Sequence, residues 1–216
     1  HGPAAIVATA TLADVALAIP QVEYAGLKLG LEKAPWFLRE GEIVLSLFVA
    51  DERLYSVAFT LGLEDGQTTA YIGALQGRNL PNAMEIYRDI THELHGMRPR
   101  DFLLYAHRLL CNAVGARRLW AVSSEYRQHN GMYFGGSHKD KVAADYDEVW
   151  LEQGGTPLAN GFFELPITPR QKDMSEIPSK KKAVYRRRYA MLDLLAEEIG
   201  ATCAAASGAQ NRTITS

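Results

Sequence analysis

The chain has little cysteine: two residues, Cys111 and Cys203, in 216. One thiol lies inside an apolar helical pattern and the other in an alanine-rich tail, which makes neither a disulfide framework nor a metal knuckle. A reducing compartment follows as the default, and the expected location is cytoplasmic, at most peripheral to the inner membrane. A run of about 18 apolar residues is also missing. The segment "AAIVATATLADVALAI" lacks a basic start and is broken by Asp14, which argues against both a spanning helix and a signal peptide. The chain opens at His1 rather than Met, so we expect the natural N-terminus to lie upstream. Charge of one sign is lacking too: 23 Lys and Arg against 25 Asp and Glu leave a net −2. Nothing draws the whole molecule to nucleic acid or membrane, and any electrostatic partner has to be recognised by a local cluster. No internal repeat appears.

What is present is 47% apolar content, enough for one substantial core but too short a chain for two full domains. We expect a helical N-terminal segment over residues 1–35, a single domain over 36–204 and a flexible tail from 205 to 216. Within 3–34, Leu12, Val15, Leu17 and Ile19 read as a helical stripe ending at Pro20. From Glu42 the period changes to two, and "EIVLSLFV", "RLYSVAFTL" and "TTAYIGALQ", parted by "VADE" and "EDGQ", predict a three-stranded antiparallel meander. A helix opens at Pro81, carries Met84, Tyr87, Ile90 and Leu94, and stops at Gly96. Pro99 starts a second, with Phe102, Leu103, Ala106, Leu109, Leu110 and Ala113 on a wide apolar face, and Gly115 ends it. "RRLWAVSS" is then a strand, which after a helical crossover is expected to pair parallel. "DYDEVWLEQGG" reads as a short helix or loop, "GFFELP" as a strand and "PSKKKAVYRRRYAMLDLLAEEI" as a long helix. The fold class is therefore α/β (α+β): a mixed, mainly antiparallel sheet with one helical crossover and flanking helices.

Four features could carry chemistry. The first is "THELHGMRPRD", where a helix entry with unpaired N–H groups stands beside Arg98 and Arg100, an arrangement suited to an anion. The competing reading pairs these arginines with Asp101, Glu93 or Glu85 and makes Gly96 a plain helix C-cap. The second is His92 with His95, close enough on a helix to share a metal with His107 or His129. Their spacing of three is not the zinc-protease spacing of four, so no metal is expected. The third is "KKKAVYRRRY", six cations in nine residues with interleaved tyrosines: a packed amphipathic helix with a solvated basic face, or a dock for anionic lipid, RNA or phosphate. The acidic balance of the chain makes nucleic acid the minority partner. The fourth is "DYDEVW" with Ser123, Ser124, Glu125 and Tyr126. Strand-end carboxylates and phenols can act as acids and bases, but Tyr146 and Trp150 also fit an aromatic core pair and Asp145 a cap. Neither serine sits in a nucleophile elbow.

Taken in order, "EGEIVLSLFV", "LYSVAFTLG", "YIGALQGR", "HGMRPRDFLLYA", "ADYDEVWLEQGG", "GFFELP" and "IPSKKKAVYRRRYAMLDLL" resemble the blocks of the bacterial VirK/YbjX family, from about residue 36 to residue 199. The resemblance implies an association with virulence and antimicrobial-peptide resistance in Gram-negative bacteria and names no reaction. The succession of elements is also similar, more loosely, to GNAT acyltransferases. That likeness implies a thioester donor, acyl-CoA or acyl-carrier protein, lying where the strand before the crossover parts from the strand after it. Gln76, Gly77, Gly96, Arg98 and Arg100 would then hold the donor. Glu125 or Asp147 would act as base, Tyr146 as acid to the thiolate, and His95 in either post. The acceptor would be an amine or hydroxyl of a small metabolite, peptide or envelope lipid. The alternative is a noncatalytic accessory protein that binds an anionic lipid or a protein partner. The catalytic expectation fails if both guanidinium groups are taken up by the protein's own carboxylates.

Overall fold

The computed structural model describes residues 15–78, 80, 82–126 and 145–213, the last six as backbone only. Eight strands form one open sheet: β1 (Val15–Ala18), β2 (Lys28–Glu32), β3 (Ile43–Val49), β4 (Glu52–Glu64), β5 (Gln67–Gly77), β6 (Arg118–Val122), β7 (Thr156–Pro157) and β8 (Phe162–Leu165). Their order is β1-β2-β3-β4-β5-β6-β8-β7. Every neighbouring pair is antiparallel except β5 with β6. Four α-helices accompany them among the described residues: α1 (Ala83–Glu93), α2 (Pro99–Ala113), α3 (Tyr146–Glu152) and α4 (Lys182–Thr213). The mixed, mainly antiparallel architecture, with α1 and α2 as its crossover, is the one expected.

The meander follows from alternation and turn chemistry. Asp65 and Gly66 between β4 and β5 both take positive φ, 50° and 74°, the left-handed pair that a two-residue hairpin turn needs. On one face of the sheet Leu45, Leu47, Val57, Phe59 and Ile72 meet Phe102, Leu103 and Ala106 of α2 and Met191, Leu192 and Leu195 of α4 in a single apolar core. The other face is crossed by residues 33–41, whose Phe37 plugs into Val44, Ala58 and Ala74. The crossing is so close that a Cβ on Gly73 would lie 1.9 Å from the Glu40 carbonyl oxygen, which only glycine permits.

Two expectations are corrected. Residues 15–34, read as helix, form two strands with a 3-10 turn at Tyr24–Gly26 between them: β1 pairs with β2 and β2 with β3. Leu29 and Leu31 are buried while Lys28, Gly30 and Glu32 are half-exposed, a period of two. Val15, Leu17 and Ile19 fit that period as well as a helical one, and the bare edge of β3 selects the strand. Leu12 lies outside the described residues, as does Pro81. At the other end α4 continues through Thr213, across the start of the expected tail. "ATCAAAS" is rich in the strongest helix former, and Cys203 is buried against the core.

Candidate functional site

The parallel seam between β5 and β6 sets the geometry. Pairing runs only from Thr69–Ile72 to Arg118–Ala121, after which β5 continues to Gly77 while β6 ends at Val122. The fissure this leaves is filled by α3. The Tyr146 hydroxyl accepts from the Leu75 N–H at 2.8 Å and donates to the Leu75 carbonyl at 2.9 Å, standing in for the missing strand on that side of β5. Trp150 Nε1 donates to the Val122 carbonyl at 2.8 Å, answering the other wall. The two rings lie 5.5 Å apart, so the core-pair reading of Tyr146 and Trp150 holds. Tyr146, Val149 and Trp150 are all buried. At about 1.5–3 kcal/mol for each large apolar side chain, lifting α3 out of the fissure would cost on the order of 5–9 kcal/mol. α3 is thus a core element and not a loose lid.

Both ends of α3 are fastened. At the N-terminus Asp145 caps the Asp147 N–H at 3.0 Å, as the sequence allowed. Ser124 Oγ donates to Asp145 at 2.9 Å and accepts from the Tyr146 N–H at 2.8 Å, while the Ser124 N–H donates to the Asp147 carboxylate at 2.8 Å. Asp147 therefore holds the β6–α3 connection, and Glu125 is exposed beside it. At the C-terminus Arg98 Nε donates to Asp101 at 2.7 Å and its Nη2 to Glu152 at 3.2 Å. Arg100 Nε donates to Asp101 at 3.0 Å and its Nη2 to Glu152. The hydrogen bond from Arg100 holds the Glu152 carboxyl below the ordinary carboxylate range, with the Arg100 and Arg98 charges reinforcing it. Behind this pair, buried Arg108 donates to the Gln153 side chain at 2.9 Å and to its carbonyl at 3.0 Å. Desolvation lowers the Arg108 pKa to about 10.

Of the proposed donor-binding residues, Arg98 and Arg100 are engaged by the protein's own carboxylates, and of the partners the sequence offered it is Asp101 that takes part, joined by Glu152. Gln76 lies opposite Ser56 on β4. Gly77 makes room for Tyr55, whose ring would stand 2.8 Å from a Cβ there. Gly96 (φ 81°) and His95 (φ 51°) form the α1–α2 turn, and the His95 carbonyl accepts from Arg188 Nη2 and Nε at 2.7 and 3.0 Å. Desolvation, then the Arg187 and Arg188 charges, lower the His95 pKa. His107 is wholly buried, edge-on to Phe59 at 4.5 Å and 3.5 Å from Cys111 Sγ, and desolvation pushes its pKa down to about 3. Among the described residues no group of three or more His, Cys, Asp or Glu could hold a metal ion, and His129 lies outside them.

The tract at 180–188 divides. Arg188 is spent on His95 and stacks over Tyr185 at 4.2 Å. Tyr185 and Tyr189 pack edge to face at 5.8 Å, with the Tyr189 hydroxyl bonded to the Lys172 backbone. Lys180, Lys181, Arg186 and Arg187 are exposed, and among the described residues none of the four is paired with a carboxylate. No acidic residue occupies the first turn of α4. Cations at a helix N-terminus oppose the macrodipole, so this charge is kept where it costs stability.

The fold and site thus define a mixed α/β protein whose sheet is sealed at its parallel β5–β6 seam by a short helix, with a basic tract around the entry to α4 whose exposed Lys180, Lys181, Arg186 and Arg187 meet no carboxylate among the described residues. The profile of the family described as "Protein of unknown function (DUF535)" matches residues 5–201, and the chain belongs to that family, the VirK/YbjX family of the resemblance above. It is 32% identical over 142 residues to the uncharacterized protein YbjX of Escherichia coli (strain K12), covering 66% of this chain and 43% of that one. An uncharacterized protein of Haemophilus influenzae (strain ATCC 51907 / DSM 11121 / KW20 / Rd) is 32% identical over 154 residues, covering 69% and 48%. The chain spans less than half the length of these curated relatives. No helix among the described residues is long and apolar enough to cross a membrane.

Proposed function

We propose that the protein is a noncatalytic accessory module that docks on an anionic lipid surface through the start of α4. The observation that carries this reading is the contrast in pairing: Arg98 and Arg100 are neutralised within the protein, whereas Lys180, Lys181, Arg186 and Arg187 are exposed and unpaired among the described residues. Arg188 and the two tyrosines lock the helix beneath them, so the charges stand on a rigid base. A Lys or Arg held near an anionic leaflet contributes about 1 kcal/mol. Reversal of all four should therefore weaken binding by roughly three orders of magnitude or more. Cosedimentation with phosphatidylglycerol vesicles, against phosphatidylcholine vesicles, tests this. Binding only to the anionic vesicles, lost in the Lys180→Glu/Lys181→Glu/Arg186→Glu/Arg187→Glu variant, is expected, and equal binding of variant and parent would overturn the reading. A module at the envelope surface also fits the antimicrobial-peptide resistance that the family resemblance implies, since cationic peptides compete for the same lipids.

A second reading, GNAT-like transfer of an acyl or aminoacyl group from a thioester donor, draws support from the parting of β5 and β6 and from the Tyr146 hydroxyl between them. It requires α3 to leave the fissure. Thermal shift with CoA, acetyl-CoA and long-chain acyl-CoA separates the two readings, because a donor at a hundred times its Kd would stabilise the fold by about 2.7 kcal/mol.

A further inference from the structure

A cavity of about 400 Å³ opens where β4, α1 and the start of α2 meet. Its volume lies within the roughly 300–1,000 Å³ range of small-molecule sites. Three arginines line it, Arg88, Arg98 and Arg100, and no carboxylate does. Asp101 and Glu152 grip the last two from outside the lining and engage Nε and Nη2 of each. A guanidinium has five N–H donors. The Nη1 groups of Arg98 and Arg100 have no protein partner among the described residues. The carboxylates that neutralise these side chains also fix their forks in place, which lowers the entropy lost when a further anion binds. Arg88 is only loosely held, 3.5 Å from Asp89 and 3.8 Å from Glu85, and can swing inward. The Tyr55 hydroxyl, near Arg100, Asp101 and Arg98, donates to nothing among the described residues. Apart from Thr91, whose hydroxyl is spent on the Tyr87 carbonyl, the rest of the wall is apolar: the Tyr55 and Tyr87 rings lie 5.6 Å apart, with exposed Met84 at the rim.

We propose that this cavity binds a phosphomonoester carried on an aromatic or apolar body, with the phosphate held by Arg98, Arg100, Arg88 and the Tyr55 hydroxyl and the body resting on Tyr87 and Met84. Guanidinium forks match phosphate oxygens two at a time. The space is several times that of the phosphate alone, so an organic body has room. The site is separate from the basic face of α4 and stands or falls independently of it.

Phenyl phosphate, phenol and inorganic phosphate are the probes, titrated calorimetrically at low salt in a phosphate-free buffer. Phenyl phosphate should saturate one site, inorganic phosphate should bind more weakly and phenol not at all. Arg100→Ala also removes one of the two cations that hold Glu152 and so disturbs the seating of α3, which makes Arg88→Gln and Tyr55→Phe, checked for unchanged Tm, the diagnostic variants. Each should weaken phenyl phosphate by roughly tenfold to a hundredfold, the loss of one hydrogen bond to a charged group. The variant with four reversed charges on α4 should bind phenyl phosphate as the parent does. Failure of phenyl phosphate to saturate, affinity unchanged in both diagnostic variants, or loss confined to the α4 variant would each overturn the proposal.

Discussion

Two basic clusters in this chain look alike on paper and behave differently in the fold. "GMRPRD" and "KKKAVYRRRY" both gather positive charge around the entry to a helix, where an anion is welcome. In the first, Asp101 and Glu152 take both arginines, and the cluster fastens α3 across the seam between β5 and β6. In the second, only Arg188 has structural employment, and its exposed neighbours meet no carboxylate among the described residues. The difference lies in the partners that the fold brings to each cluster. Carboxylates supplied by the fold fix the forks of the first cluster in place, whereas the second keeps its charge for partners outside the chain.

If the first cluster serves to seat a core helix, the largest loss should come from the helix itself. Trp150→Ala is expected to cost about 3–5 kcal/mol by denaturant unfolding, the range for truncating a buried aromatic. A loss below about 1 kcal/mol would make α3 a detachable cover and revive the transfer reading. Next, Tyr146→Phe strands the Leu75 N–H and carbonyl in a dry setting and should cost about 1–3 kcal/mol. Arg100→Ala should cost about 1–2 kcal/mol, since Glu152 retains Arg98 and is half-exposed. The same pair supplies a pH signature. Because Arg100 lowers the folded-state pKa of Glu152, its contribution is complete above the ordinary carboxylate range and disappears as pH falls through the depressed folded value. The stability gap between the parent and Glu152→Gln should therefore close in acid. At the small end, reversing Lys180, Lys181, Arg186 and Arg187 should leave Tm unchanged or raise it slightly, because acidic groups at 180 and 181, in the turn that leads into α4, suit a helix N-terminus by a few tenths of a kcal/mol each. A large loss there would mean that these cations are structural after all and would erase the contrast between the clusters.

Much of this architecture was legible from periodicity and punctuation. Asp65-Gly66 marked the β4–β5 hairpin, Gly96 and Pro99 the break between α1 and α2, and Gly115 the end of α2. Asp101, Glu93 and Glu85 are the partners that the sequence offers the arginines, and of these Asp101, three residues from Arg98, is the one that pairs. Glu152 could not be named, since 52 positions separate it from Arg100 and only the docking of α3 joins them. The roles of Tyr55 and Arg88 escaped for the same reason: a cavity wall drawn from β4, α1 and α2 has no linear signature. The N-terminal strands were misread because short apolar segments fit periods of two and 3.6 alike, and a free sheet edge decides between them.

The hydroxyl of Tyr146 makes one peptide proton into a gauge of the seam. The Leu75 amide is held by a phenol and not by a neighbouring strand, so its exchange with deuterated solvent reports the parting of α3 from β5. Amides in the middle of β4, locked between two antiparallel neighbours, should exchange only when the whole domain opens. The ratio of those two protection factors would give the free energy that separates a breathing seam from an unfolded chain, and with it how readily any guest could enter there.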